Sequence, residues 1–172
     1  MLGLPFTCIP ADIDETPPEG LSPLQVAGCL ALQKTLTVAD NNNQSPWVFG
    51  ADTIVVLDNK IYGKPSDRNE ARRMLEKFSG RRHEVITAMA LHNNRLNTTD
   101  CRSVRSEVVF ASLSNVDIDW YLNTGEWEGA AGAYQLQGLG ACLISSINGS
   151  PSAVAGLPLH EFYAMLRDNG CY

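Results

Sequence analysis

The stretch WVFGADTIVVL, Trp47 to Leu57, is apolar and rich in valine and aromatic side chains, and it reads as a buried strand broken only by Gly50, Asp52 and Thr53. The break matters more than the run. An ionised carboxylate buried without partners costs several kcal/mol, so Asp52 must be paired, metal-bound or solvated. A strand-end aspartate facing water is the plain reading. A carboxylate held at a site is the better one, because Asp52 lies inside the apolar strand.

On the C-terminal side, Asp58-Asn59 turns the chain, Ile61-Tyr62 is a short return and Gly63-Lys64-Pro65 is a loop, which together predict a hairpin. Asp67 and Glu70 then have the spacing of a capping box, and Ala71, Met74, Leu75 and Phe78 form the apolar stripe of a helix ending before Gly80. Residues His83 to Leu91 and Ser103 to Ser112 alternate as two strands, expected to pair antiparallel. Ser114 with Asp117 caps a helix through Leu122, and Gly125 to Gly140 is rich in glycine and alanine, as where backbone approaches something closely. Ala141 to Ile147 is a predicted strand, Asn148-Gly149 a turn, and Pro158 to Arg167 a last helix closed by Gly170.

On the N-terminal side, the acidic, proline-containing segment Asp14 to Gly20 precedes Ser22-Pro23, an N-cap with proline at the first helical position. Leu24, Ala27, Leu30, Ala31 and Leu36 follow near-helical spacing, which puts Lys34 near the helix's C-terminal end, where a cation is favoured. Asp40 to Pro46 is a polar loop. The whole is an α/β domain without internal repeats.

With 172 residues and 44% hydrophobic content, the chain can bury one sizeable core, and no shift in composition divides it. The formal charge of -6 has the wrong sign for binding nucleic acid through the overall field. An anionic ligand must therefore be held by a few local cations. The five cysteines are irregularly spaced, with neither a CxxC pair nor a disulfide framework, and suit a reducing cytoplasm. No secretion signal or membrane-length apolar run stands out, so a soluble protein without a membrane partner is expected, and the N-x-S/T triplets at Asn43, Asn97 and Asn148 are chance matches.

Glu15 closes the acidic cluster Asp12, Asp14, Glu15, by itself an ordinary solvated loop. Brought beside Asp52 it gains meaning, because Mg²⁺ prefers one or two carboxylates completed by phosphate oxygens and waters. Lys64 follows the Asp52 hairpin in a glycine-proline loop, where a flexible point charge can reach a phosphate. Solvent exposure is the commoner fate of such a lysine and of Lys34. His83-Glu84 lacks a second histidine at metalloprotease spacing, and Arg72 and Arg73 lie on a polar helix face. Neither Gly-Lys-Ser/Thr nor G-x-G-x-x-G occurs, which removes the main support for ATPase and dehydrogenase readings.

In order along the chain stand Asp14-Glu15, Ala51-Asp52-Thr53, Gly63-Lys64-Pro65, Ser79-Gly80 with His83, Val85-Ile86-Thr87, Gly132-Ala133-Tyr134, Gln137-Gly138-Leu139-Gly140, Ile147-Asn148-Gly149-Ser150 and Gly156-Leu157-Pro158-Leu159. So many short motifs in order resemble the Maf family of nucleotide pyrophosphatases. The resemblance implies one domain over residues 1–172 with a mixed, twisted β-sheet flanked by helices, as in inosine triphosphatase-like proteins. It implies hydrolysis of a nucleoside triphosphate between the α and β phosphates with a divalent cation, Mg²⁺ or Mn²⁺. Asp52 aligns with the family's proton acceptor and Glu15 with a second acidic residue, together the implied metal ligands; Lys34 and Lys64 align with lysines that face phosphates. Thr53 and Gln137 resemble the branch acting on dTTP and UTP, and an amide at 137 can offer a pyrimidine both donor and acceptor. A 7-methyl-GTP branch tends to carry Gln and Glu there.

The resemblance further implies clearance of particular or modified nucleotides, a role in cell-division arrest and a homodimer. It also carries a departure. Family members begin with a strand leading into an Ala-Ser-x-Ser-Pro-Arg-Arg type loop, whereas Met1 to Phe6 stands after it, so the expected chain lacks that strand and its bidentate arginines. Either an upstream start or an impaired, nucleotide-binding product is then expected.

Overall fold

The computed structural model describes residues 3–16, 20–42 and 44–171; residues 17–19 of the Asp14 to Gly20 segment, Asn43 at the head of its triplet, the first two residues and Tyr172 lie outside it. Trp47–Leu57 forms strand β1 as expected, and Lys60–Tyr62 forms β2. The two-residue turn between them puts Asp58 and Asn59 at φ 52° and 59°, the left-handed pair that tightens a hairpin. Helix α1 spans Pro23–Asn41 and α2 spans Arg68–Phe78. Strands β3 (Arg82–Asn93) and β4 (Thr98–Phe110) make a long hairpin, α3 covers Asn115–Asn123, and β5 is Ile144–Asn148. The short α4 (Pro151–Val154) and α5 (Leu159–Asp168) complete the chain.

The sheet runs β2-β1-β3-β4-β5. All its pairings among the described residues are antiparallel, which corrects the mixed sheet expected. The cause is topological: β2 and β3 both run against β1, one on each side of it, and β4 and β5 alternate outward. β1 is paired with β3 from Trp47 to Val56 but with β2 only from Val55 to Leu57. Its outer edge from Trp47 to Ile54 has no neighbouring strand among the described residues.

Each face of the sheet is covered. Ala27 and Ala31 of α1 pack on Ile54 and Val56, from the even-numbered face of β1, and on Ile86 and Ala88 of β3 beside them. On the other face Val55 and Leu57 meet Met74, Leu75 and Phe78 of α2 and Ile118, Tyr121 and Leu122 of α3. The buried residues of α2 are those of the predicted stripe. Its N-cap is Asp67, but the Glu70 carboxylate takes the Ser66 N–H and hydroxyl rather than closing a box on Asp67.

Three boundaries differ most from expectation. β4 runs from Thr98 to Phe110 instead of Ser103 to Ser112, because its pairing with β3 continues to the hairpin end, where Thr98 lies opposite Asn93. α1 continues to Asn41, because Val38 and Ala39 extend the buried side and the Thr35 hydroxyl bonds back to the Ala31 carbonyl at 2.8 Å. Lys34 is therefore mid-helix, and the helix-end explanation for its charge is withdrawn. β5 starts at Ile144, not Ala141, because Leu139–Leu143 winds as a 3₁₀ turn.

His83, at the start of β3, is 2% exposed among Phe78, Phe110 and Tyr134. Its Nε2 lies 2.9 Å from the Tyr134 hydroxyl, while Nδ1 has no hydrogen-bond partner among the described residues. Burial pushes its pKa down from 6.5 to about 4. With the folded value depressed, the unfolded chain takes up the proton first; the stabilisation is whole above about pH 6.5 and is lost as pH falls toward 4. The expected loss is about 3 kcal/mol across that window. Urea titrations at a series of pH values should show it, and His83→Gln, which cannot titrate there, should flatten the slope. An equal slope in the variant would refute the assignment.

Candidate active site

A cavity of about 870 Å³ is lined by residues 51–55 of β1, by Val26, Leu30 and Lys34 of α1, by Glu15, Gly63 and Lys64, and by the 129–137 and 154–156 loops. Successive strand residues face opposite sides of a sheet, so Asp52 points to the α1 side and Thr53 to the other. Both reach one cavity because β1 is uncovered along that edge: the cavity folds around the edge from face to face. β2 ends the cover at Val55.

On the α1 side, Asp52 is 9% exposed. The Lys34 ammonium lies 2.6 Å from Asp52 Oδ1 and 2.7 Å from Glu15 Oε1, and Lys64 Nζ lies 3.2 Å from Glu15 Oε2. Lys34 reaches this position because α1 sits hard on β1 at Gly50, where any Cβ would collide with Thr35 Oγ1. Hydrogen bonding from Lys34 holds the Glu15 carboxyl below its ordinary pKa. Burial works against the Lys34 charge, but the hydrogen bonds to Asp52 and Glu15 outweigh it and its pKa is raised. A phosphate arriving here meets two ammonium groups and a carboxylate whose second oxygen remains open to a water.

On the opposite side, Thr53 Oγ1 lies 2.9 Å from Thr87 Oγ1. Gln137 is exposed and donates an amide N–H to the Ala155 carbonyl at 2.9 Å. Gly132, at φ 68°, lets the 129–137 loop approach β1, since a Cβ there would stand 2.9 Å from a Val55 methyl. Tyr134 closes the floor.

The structure thus brings Glu15, Lys34, Asp52 and Lys64 together, with Thr53 on the opposite side of β1 and Thr53 and Gln137 lining the same cavity. Among the described residues no three His, Cys, Asp or Glu side chains converge as a metal cluster. The donor set nevertheless fits a cation: Glu15 and Asp52 already converge on one, the Lys34 ammonium. Thr87, Ala153 and Ala155 were not singled out by sequence as site residues. The usable signal was a lone hydroxyl, Thr87, in the apolar run from Val85 to Leu91. No helix among the described residues is long and apolar enough to cross a membrane.

The family described as Maf-like protein matches residues 1–169. The dTTP/UTP pyrophosphatase of Myxococcus xanthus is 43% identical over 169 residues, covering 98% of this chain and 84% of that protein. The one from Shewanella oneidensis is 45% identical over 168 residues, covering 96% and 85%, and the one from Clostridioides difficile is 43% identical over 162 residues, covering 94% and 83%.

Proposed function

Because the chain belongs to the family of Maf-like proteins, we propose that it is a nucleoside triphosphate pyrophosphatase acting on dTTP and UTP. The observation that carries this reading is the cavity wrapped around the β1 edge, with its cations and carboxylates on one face and its neutral hydroxyl and amide on the other. A nucleotide spanning the edge puts its phosphates against Lys34 and Lys64 and its base against Thr53 and Gln137. The names of the relatives agree with that polarity.

In the reaction, water forms a bond to phosphorus and the α–β bridging bond breaks, releasing the monophosphate and pyrophosphate. Asp52 takes the proton of the attacking water through Oδ2, the carboxylate oxygen that Lys34 does not engage. Lys34 and Lys64 neutralise charge on the departing pyrophosphate, Lys34 at short range in a partly dry setting and Lys64 from the rim. To do so, each exchanges a carboxylate for a phosphate oxygen. Glu15 and Asp52 would hold a divalent cation, Mg²⁺ or Mn²⁺, which supplies further charge neutralisation on the phosphate chain. The setting is cytoplasmic, where these nucleotides are found.

Pyrophosphate release from dTTP, UTP and 7-methyl-GTP tests the reading, measured with and without a divalent cation. Turnover of the two pyrimidine nucleotides ahead of 7-methyl-GTP supports it. Nucleotide binding without turnover would replace it with a binding protein.

A further inference from the structure

Thr87 is wholly buried, at 0% exposure, and faces Thr53 in register across β1 and β3. Its hydroxyl donates to the Ala153 carbonyl at 2.7 Å. A hydroxyl has one hydrogen to give and a carbonyl can only accept. The Thr87 hydrogen is therefore committed to Ala153, and in the 2.9 Å contact between the two threonines the donor must be Thr53. Thr53's own hydrogen is turned inward, and its oxygen meets the cavity with lone pairs alone.

The turn holding this chain of bonds is itself anchored. Ser150 caps α4, its N–H bonded to Ser106 Oγ of β4 at 3.0 Å, and the Ala153 carbonyl also accepts from Gly156 N–H at 2.9 Å. The same turn supplies the Ala155 carbonyl that takes one N–H of Gln137. The polarity of both groups at this end is thus fixed from residues 150–156. What faces the cavity is an acceptor from Thr53 and a second N–H with an amide oxygen from Gln137.

We propose that Thr87 is a positioning residue that sets base preference by forcing Thr53 to act as a hydrogen-bond acceptor; the proposal rests on the nucleotide reading above. The base selected presents a ring N–H beside a carbonyl, as uracil and thymine do. Cytosine offers a ring lone pair at that place, which would meet the lone pairs of Thr53. Without the Thr87 hydroxyl, Thr53 is free to turn its hydrogen toward the cavity and accept either edge.

The test compares wild type, Thr87→Ser and Thr87→Val for kcat/KM on UTP and CTP, with UMP and CMP binding measured by calorimetry. Thr87→Ser should keep the wild-type preference for the uracil nucleotide. Thr87→Val should reduce the UTP/CTP ratio roughly tenfold, the scale of one mispaired buried polar group, with the UMP/CMP affinity ratio moving alike. Thr87→Ala gives the same comparison where valine does not fold. An unchanged ratio in the valine or alanine variant, or equal losses on both nucleotides, would overturn the relay while leaving the pyrophosphatase reading standing. A wild-type chain that binds neither monophosphate and turns over neither triphosphate would overturn both.

Discussion

Asp52→Asn is expected to lower pyrophosphate release from dTTP and UTP by roughly 10²- to 10⁴-fold, the usual contribution of a positioned general base, while the fold stays intact. The asparagine amide is the same size as the carboxylate, and its oxygen can still accept from the Lys34 ammonium that now lies 2.6 Å from Oδ1. The geometry therefore survives, while the proton acceptor and the negative charge that Asp52 offers to Lys34 and to a divalent cation are lost. A buried carboxylate at 9% exposure sits on a strand whose neighbours Ile54, Val55 and Val56 are core residues, so loss of activity alone could reflect unfolding. The measurement therefore pairs turnover with circular dichroism and melting temperature. Near wild-type turnover in a normally folded variant would remove Asp52 from the mechanism.

Lys34→Met should be the second large effect, with kcat/KM falling roughly 10²- to 10³-fold. Methionine keeps the length and apolar stem of the lysine but removes the charge that Asp52 and Glu15 share. Two consequences follow from one deletion. The phosphate chain loses its least solvent-screened cation, and the two carboxylates face each other without a bridge, so Glu15 loses the main cause of its depressed pKa. Its protonation then moves to higher pH, and the acid side of the pH–rate profile should move the same way. Lys64, more exposed and 3.2 Å from Glu15 alone, should give a smaller loss in the matching variant. A Lys34→Met protein with wild-type kcat/KM and an unmoved acid limb would show that the ammonium only holds the resting site together.

Much of the fold is legible in the sequence. The β1–β2 hairpin, the stripe of α2 and the β3–β4 pair announce themselves through turn residues and through period, both local signals. Asp52 stood out because burying a carboxylate has a cost that apolar neighbours cannot offset. What the chain order conceals is relation across space. Nothing in the spacing of Thr53 and Asp52 says that one cavity can serve both faces of a strand; that depends on β2 stopping at Val55. Thr87 stands in the sequence only as part of the motif Val85-Ile86-Thr87, and its meaning comes from a carbonyl 66 residues away. Lys34 had a sufficient local explanation at a helix end, and the helix running on to Asn41 removed it. Glu15 beside Asp52 and Lys64 in its glycine-proline loop are readable from charge and position as groups for a cation and a phosphate, whereas the phosphate-facing role of Lys34 comes through family resemblance alone.

The uncovered stretch of β1 has one more consequence, visible in time rather than in shape. Between Trp47 and Ile54 the backbone amides alternate in direction, every second one bonded to β3 and the others turned to the side where no strand lies among the described residues. The bonded amides can exchange their hydrogens only when the sheet opens, whereas their neighbours need no such event. Deuterium should therefore enter this strand as an alternating pattern, fast and slow by turns. From Val55 onward, where β2 lies alongside, the pattern should become uniformly slow. The strand that bears Asp52 and Thr53 would thus be rigid on one side and permeable to solvent on the other.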